Sequence, residues 1–186
     1  VREQLPHGNA MFPLMVHEIK SDCSFKERVS CHWHDEVEIL IVTKGLGEFH
    51  IDNRSYPLRK DSIVIIPSNH LHSITSEIGM PFNFFAVVFH QTFLNSFVND
   101  VIQQKYFNSV TREETVFPEF ISPELEWEQK ILSLLLEIQE IFNKKETAFE
   151  LDIKTKLYAI WHLLYVHSEE KGTPSPKHAD YKMELT

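Results

Sequence analysis

The spacing of apolar residues changes near residue 91, and this change limits the possible folds more than any other feature of the sequence. Up to that point, short apolar runs alternate with turn residues, as at 39–43, Ile63–Ile66 and 82–89. Short runs at regular intervals are typical of the strands of a sandwich or barrel. After it, apolar residues recur every three or four positions, which indicates amphipathic helices. The sequence therefore predicts a mainly β protein with α-helices, in which a β-barrel precedes the helices.

This change of period also predicts how the chain is organised. We expect residues 1–91 to form the barrel together with an N-terminal arm, and residues 92–172 to form a helical part. Residues 173–186 contain two prolines and little apolar material. We interpret them as a linker.

Within the helical part, three segments have helical features. Apolar residues at helical spacing predict a first helix over 93–102. A Ser-Pro-Glu start places proline at the first helical position and predicts a second helix over 122–143. A capping-box pattern at Thr147 and Glu150 begins a third helix, which should end near residue 172 because a glycine stands there.

The charge balance and the cysteine content exclude several classes of protein. Acidic residues outnumber basic ones, 27 to 18, for a formal net charge of −9. A chain of this charge is not expected to bind nucleic acid by itself, because phosphate contacts need a basic face. No apolar run approaches the length of a membrane span. We therefore expect no membrane partner. The two cysteines cannot make a disulfide framework, so we expect a reduced, cytoplasmic setting.

Histidine is enriched in the predicted barrel, where six of the eleven histidines lie between residues 32 and 90. In an extended strand, residues two apart face the same side, so His32, His34 and Glu38 share a face. His72 can join them from a neighbouring strand. Imidazoles and a carboxylate that converge in a barrel predict a site for a divalent metal such as Zn²⁺ or Ni²⁺. The alternative is a metal-free polar cluster that binds a sugar hydroxyl or a small acid.

These residues also carry a family resemblance. The spacing His32-x-His34-x-x-x-Glu38, with six residues between Glu38 and Gly45, and Pro67 five residues before His72, resembles the two motifs of the cupin superfamily. The resemblance implies a cupin barrel, also called a double-stranded β-helix or jelly roll. It also implies that His32, His34, Glu38 and His72 are the metal ligands. The sequence departs from the motif glycines and asparagine at four positions: Lys26, Asp61, Asn69 and Ser76.

A longer pattern narrows the resemblance. The His-x-His segment, the Lys-Gly-x-Gly-x-Phe turn at 44–49 and the run at 60–67 resemble the ligand-sensing domain of AraC-type bacterial transcription regulators. That family implies a cupin barrel followed by amphipathic helices, one of which mediates homodimerisation. It implies a small-molecule effector, such as a sugar, organic acid or aromatic compound. It also implies that DNA is contacted only by helix-turn-helix units that follow the sensor, and fourteen residues after 172 cannot hold one.

Further residues are candidates for the pocket and for the dimer. Trp33 and Phe84 are aromatic residues that can line a ligand cavity, although core packing is the better default explanation for them. The second helix has an apolar arc wider than one packing face needs. We therefore predict that part of this arc meets a second subunit, while packing within the protomer is the alternative. The candidate dimerisation residues are Ile131, Leu134, Leu135, Ile138, Ile141 and Phe142.

The sequence leaves two classes of function open. The leading hypothesis is an effector-sensing and dimerisation domain without enzymatic activity. The alternative is a small metal-dependent cupin enzyme, an oxygenase or isomerase, that uses the same four ligands with an open coordination position. In the resembled family the N-terminal arm can fold over the pocket, whereas a partly ordered terminus is the simpler expectation.

Overall fold

The structure is a computed structural model that describes residues 1–20 and 27–170. The strands are β1 (Leu14–Lys20), β2 (Glu27–His32), β3 (Val37–Lys44), β4 (Gly47–Ile51), β5 (Arg54–Leu58), β6 (Ile63–Ile66), β7 (His72–Ser76), β8 (Asn83–Phe89), β9 (Thr115–Val116), β10 (Phe120–Ile121) and β11 (Glu169–Glu170). The helices are α1 (Asn108–Thr111), α2 (Glu126–Lys144) and α3 (Phe149–Val166). A 3₁₀ turn, Gln91–Phe93, follows β8, and a π-helical turn, Gln103–Phe107, leads into α1.

Two antiparallel sheets form the barrel. One has the strand order β1-β8-β3-β6-β10 and the other the order β2-β7-β4-β5. Strands that are adjacent in a sheet are mostly distant in sequence, as in a jelly roll. This arrangement confirms the predicted cupin barrel followed by helices.

The two faces of the first sheet have different partners. Along β3, Leu40 and Val42 point into the barrel and pack with side chains such as Phe49 and Phe84. Alternate residues, such as Ile39, point to the other face and pack against the helices. Because both faces are covered, β3, β6 and β8 are apolar at nearly every position rather than at every second one.

The tight turn after β3 explains why the family motif has a glycine there. Gly45 directly follows β3 and has a φ of +98°, a conformation that residues other than glycine rarely adopt. A Cβ atom added there would lie 2.1 Å from the backbone oxygen of Pro81. The position therefore has no room for a side chain.

In the two long helices α2 and α3, the apolar residues that recur every three or four positions are buried. Ile131, Leu135 and Ile138 of α2 are almost fully buried. Ile153 and Leu157 of α3 belong to the same cluster, which also includes the outer face of the first sheet. The helices thus pack on each other and on the barrel in one continuous core.

The predicted helix over 93–102 is wrong. Phe93 and Leu94 are buried, but Phe97 is fully exposed and the chain around it is irregular. The Asp100 side chain accepts a hydrogen bond from the backbone N–H of Gln103 at 2.9 Å. An acceptor at this spacing caps a new helical start, so the helical turns begin after Asp100 rather than at residue 93.

The predicted ends of the long helices also differ from the structure. Glu128 accepts hydrogen bonds from the backbone N–H groups of Glu124 and Leu125 at 2.9 and 3.1 Å, and α2 therefore starts four residues later than the expected start at 122. Thr147 does not cap α3, because Ala148 adopts a left-handed conformation with a φ of +67° immediately before the helix. The third helix ends at Val166 rather than near residue 172.

The barrel and the helical part are interleaved in sequence. β10 lies beyond the predicted division at residue 91, yet it pairs with β6 at the edge of the first sheet. β11 pairs with β9, which ties the chain after α3 to the segment before α2. The predicted linker at 173–186 lies outside the described residues. Among the described residues, no helix has the length and apolar character needed to cross a bilayer.

Candidate functional site

The four predicted ligands come together at one end of the barrel. His32 ends β2 and pairs in register with His72 at the start of β7. Glu38 lies on β3 in the facing sheet, opposite Val88 and Ile66. The two sheets therefore contribute from opposite walls. The strand is interrupted between His32 and β3, so the expected continuous extension is wrong, although the side chains still converge.

The distances within this cluster suit a shared cation. One ring nitrogen from each of His32, His34 and His72 lies within 4.8 Å of the other two. The Oε2 atom of Glu38 lies 3.0 Å from Nε2 of His34 and 3.6 Å from Nε2 of His72. His34, Glu38 and His72 are all less than one-tenth exposed.

Backbone carbonyls fix which ring nitrogens are available. The Nδ1 atoms of His32, His34 and His72 lie 2.7, 3.2 and 2.9 Å from the carbonyl oxygens of Ser30, Glu36 and His70, respectively. A carbonyl accepts only, so each Nδ1 must carry the proton and donate it. Each neutral ring then keeps its lone pair on Nε2. Metal-bound histidines are typically oriented by such contacts.

The electrostatics of the cluster follow from this geometry. Burial alone raises the pKa of the Glu38 carboxyl, but the hydrogen bond with His34 and the adjacent His72 ring hold it well below its usual range. Burial lowers the pKa of His34, and its contacts with Glu38 more than offset this and raise the pKa above 6.5. A proton on His34 thus compensates the buried carboxylate, as a cation would.

The donor set fits a divalent metal ion. Nε2 of His72 is buried and has no hydrogen-bond partner among residues 1–20 and 27–170. Lone pairs that face a carboxylate repel one another unless a proton or a cation lies between them. Three imidazoles and one carboxylate are ligands that Zn²⁺ and related first-row ions accept.

Three further residues join the cluster that the sequence did not single out. Glu3 Oε2 lies 3.4 Å from Nε2 of His32 and 3.1 Å from Nε2 of His7. Nδ1 of His7 lies 3.0 Å from Nε2 of His17, which is on β1. Glu3 and His7 lie on the N-terminal arm, residues 1–13, where no motif or periodicity indicates a site. The alternation of β1 is the one signal that would have placed His17 on the inner face.

The arm docks beside the site through its backbone and one arginine. Glu3 donates its backbone N–H to the carbonyl of Trp33 at 2.9 Å, and Trp33 donates to the carbonyl of Val1 at 3.1 Å. The Arg2 guanidinium lies 5.3 Å from the centre of the Trp33 ring and forms an ion pair with Asp35. Trp33 therefore supports the arm, and its half-buried ring contacts Arg2.

The barrel interior near Phe84 is packed with apolar side chains. Phe84 is 4% exposed and pairs with Val42, which is four residues, or about 13 Å, along β3 from Glu38. The structure does not bring Phe84 to the histidines. A cleft of about 280 Å³ instead lies between the arm and the segment that carries His34. It is lined by Arg2, Glu3, Gln4, Leu5, His34, Asp35 and Glu36.

Most of the candidate dimerisation residues lie inside the protomer. Ile131, Leu134, Leu135 and Ile138 are buried in the core that joins the helices to the sheet. Ile141 and Phe142 are partly buried against it. A dimer through this helix stays a prediction, and the four buried side chains are not available to a second subunit in this packing.

Comparison with known proteins indicates a family. A family model described as an AraC-like ligand-binding domain matches residues 17–160. An uncharacterized HTH-type transcriptional regulator of Bacillus subtilis is 22% identical over 171 residues, which are 90% of this chain and 56% of that protein. The chain thus spans little more than half the length of this relative.

Solved structures resemble parts of this chain. A Cupin 2 conserved barrel domain protein from Salinispora arenicola is 20% identical, with a TM-score of 0.37 over 46% of this chain and 71% of that one. A predicted oxalate decarboxylase from Thermotoga maritima is 23% identical, with a TM-score of 0.37 over 41% of this chain and 65% of that one. Both TM-scores are below 0.5, so these likenesses carry no conclusion about this chain.

Proposed function

Because the chain belongs to the family of AraC-like ligand-binding domains, we propose that it senses a small-molecule effector for a transcription regulator. The observation that supports the position of the effector site is the convergence of three imidazoles and one carboxylate at the end of the barrel. A cleft that His34 lines lies beside this cluster, and we propose it as the entry for a small molecule. We further propose a cytoplasmic location, as for other proteins that act on transcription.

A divalent metal ion fits this cluster, and His32, His34, Glu38 and His72 would hold it. When bound, the ion would supply a positive centre that attracts an oxygen atom of the effector. The chain's own residues prepare the site. Backbone carbonyls hold the three rings with their Nε2 lone pairs available. The burial of Glu38 and His72 keeps water from competing for the ion.

The strand β3 offers a route from the effector site to the helices. Glu38 faces the cluster, while its neighbour Ile39 faces the core shared with α2 and α3. A shift of this strand on effector binding would move both faces together. Regulation requires that the effector bind two arrangements of the domain with different affinity.

Dimerisation and DNA binding complete the proposed function. We propose that α2 contributes to a homodimer through side chains that remain exposed, such as Leu136, which is 44% exposed. We propose that DNA is bound by a helix-turn-helix region outside this chain, as the description of the Bacillus subtilis relative suggests. The net charge of −9 supports a sensing role rather than a DNA-binding role for this part.

The metal part of the proposal is tested by calorimetric titration of the chelator-treated protein with Zn²⁺. We expect Glu38→Gln and His72→Ala to weaken Zn²⁺ binding by about tenfold or more, since each removes one of the four protein ligands. His70→Ala is the matched control, because it removes a neighbouring imidazole but keeps the carbonyl that orients His72. Equal Zn²⁺ affinity in the wild type, Glu38→Gln and His72→Ala would contradict the proposed site.

The same ligands would also suit a metal-dependent cupin enzyme, and we propose that this chain is not one. The support is the match to a ligand-binding family and to a transcription regulator. An oxygen-uptake and isomerase screen of the metal-loaded protein tests this proposal. Turnover that disappears in His34→Ala would overturn it.

A further inference from the structure

We propose that the carboxylate of Glu3 occupies the place of the effector's acid group, and that the effector is a small carboxylic acid that displaces Glu3 and the first residues of the arm while His7 stays in place. This inference rests on the proposed sensing function and assigns the chemical class of the effector. It also gives roles to His7 and His17, which lie outside the four predicted ligands.

Glu3 is held as a bound carboxylic acid would be. Its Oε2 atom lies 3.1 Å from Nε2 of His7 and 3.4 Å from Nε2 of His32. The Glu3 side chain is 27% exposed, so it is partly withdrawn from water although it lies on a terminal arm. A free carboxylate in the same place would meet the same two rings.

The group that receives this carboxylate is itself oriented. The His7 side chain is only 3% exposed, and its Nδ1 atom lies 3.0 Å from Nε2 of His17. When His17 donates this hydrogen bond, the neutral His7 ring carries its proton on Nε2 and donates it to Glu3. The buried His7 ring and the half-buried His17 ring thus fix an N–H donor that points to an anion, which is the arrangement that an acid-binding site requires.

The charge of the site favours a second carboxylate over a hydroxyl group. A divalent cation on His32, His34, His72 and Glu38 would leave one uncompensated positive charge, because the imidazoles are neutral. A buried net charge is costly, and one additional carboxylate removes it. With the ion bound and the arm seated, Glu3 would supply that charge, and an acidic effector would supply it when Glu3 leaves.

The contacts of the arm make Glu3 displaceable. The Arg2–Asp35 ion pair has side chains that are 55% and 45% exposed, and exposed pairs of this kind contribute about 0–1 kcal/mol. The adjacent cleft of about 280 Å³ is slightly below the lower end of typical ligand pockets, about 300 Å³. The expected effector is therefore a small acid.

The first test is calorimetry on the Zn²⁺-loaded full chain with acetate, malonate and benzoate, each compared with its neutral amide. We expect an acid to bind and its amide not to. If the arm is seated in about four molecules of five, Glu3→Ala should bind the acid about fivefold more tightly, because the competing carboxylate is gone. His7→Phe, which keeps a ring in place, should weaken binding by about fivefold or more.

Glu48→Ala is the matched control. Glu48 lies on β4 with a side chain that is 54% exposed, so the variant makes the same substitution and loses the same charge without touching the arm, His7 or the cleft. We expect its acid affinity to stay within about twofold of the wild type, since an exposed charge has a small effect. An equal gain in Glu48→Ala and Glu3→Ala would show a general charge effect and would overturn the proposal.

The second test is hydrogen exchange of residues 1–5, measured by mass spectrometry. We expect this first part of the arm to exchange faster when the acid is bound, because Glu3 has been displaced. Slower exchange would mean that the arm closes over the effector, and this result, or unchanged acid affinity in Glu3→Ala, would overturn the proposal. Absence of acid binding while Zn²⁺ binding still depends on His72 would reject the acid and leave the sensing site intact.

Discussion

Truncation of Ile138 distinguishes packing within the protomer from packing between subunits. Ile138 lies on α2, is fully buried, and belongs to the core that joins the helices to the outer face of the first sheet. Ile138→Ala removes about three carbon groups, each worth about 0.8 kcal/mol of transfer free energy, and leaves a cavity. We expect the free energy of unfolding to fall by about 3 kcal/mol, within the range of about 2–5 kcal/mol for such substitutions.

Leu136→Ala is the matched comparison on the same helix. It removes the same number of carbon atoms, but the Leu136 side chain is 44% exposed. We expect a loss of less than about 1 kcal/mol, because much of that side chain already contacts water. For a chain of this size, about 3 kcal/mol corresponds to a fall in melting temperature of roughly 6–12 °C, against roughly 2–4 °C or less for the control.

The assay is urea unfolding followed by circular dichroism at two protein concentrations, combined with sedimentation. An effect of Ile138→Ala that is equal at both concentrations supports packing within the protomer, because subunit association makes stability concentration-dependent. If Ile138→Ala only lowers the sedimentation coefficient and leaves unfolding of the dilute protein unchanged, Ile138 would lie at a subunit interface and this reasoning would be refuted. A lower sedimentation coefficient in Leu136→Asp would instead support a dimer through the exposed side of α2.

Two other predictions follow from the site and from the turn after β3. Zn²⁺ must displace the proton of His34, whose pKa is raised by its contacts with Glu38, so Zn²⁺ affinity should rise with pH up to that pKa and level off above it. Below it, each proton displaced costs about tenfold in affinity per pH unit, and titrations between about pH 5 and pH 8 that show no slope would contradict the role of His34. Gly45→Ala should lower the free energy of unfolding by about 2 kcal/mol or more, because strain at its φ of +98° adds to a clash with a facing carbonyl. Gly79→Ala, where φ is +84° but no atom lies within 4 Å, should cost less, and equal losses of stability in the two variants would show that the clash is relieved.

The sequence predicted the parts of the fold in which periodicity and burial agree. The apolar run Ile63–Ile66 is the strand β6, and the spacing of Ile131, Leu135 and Ile138 marks the buried side of α2. It failed where local capping decides the outcome. The start of α2 depends on Glu128 and the irregular chain around Phe97 depends on Asp100, and hydropathy does not report either contact.

Only the part of the candidate site that lies in the cupin-like motifs could be predicted from the sequence. His32, His34, Glu38 and His72 were identified from spacing, and the structure brings them together. Glu3, His7 and His17 reach the same place from the arm and from β1. Contacts between segments that are distant in sequence leave no periodic signal, so a single sequence could not indicate them.

The return of the chain to the barrel at β10 has a consequence for any attempt to isolate the sheet portion. A fragment that stops at residue 91 would lack the strand that covers one side of β6, leaving unpaired amide groups along that margin. It would also expose Ile39 and Ile65 to solvent, because these residues are buried in the core that they share with the helices. Such a fragment should self-associate through the unpaired strand edge and the exposed apolar surface beside it. The smallest fragment expected to stay monodisperse therefore includes the whole chain through the end of α3.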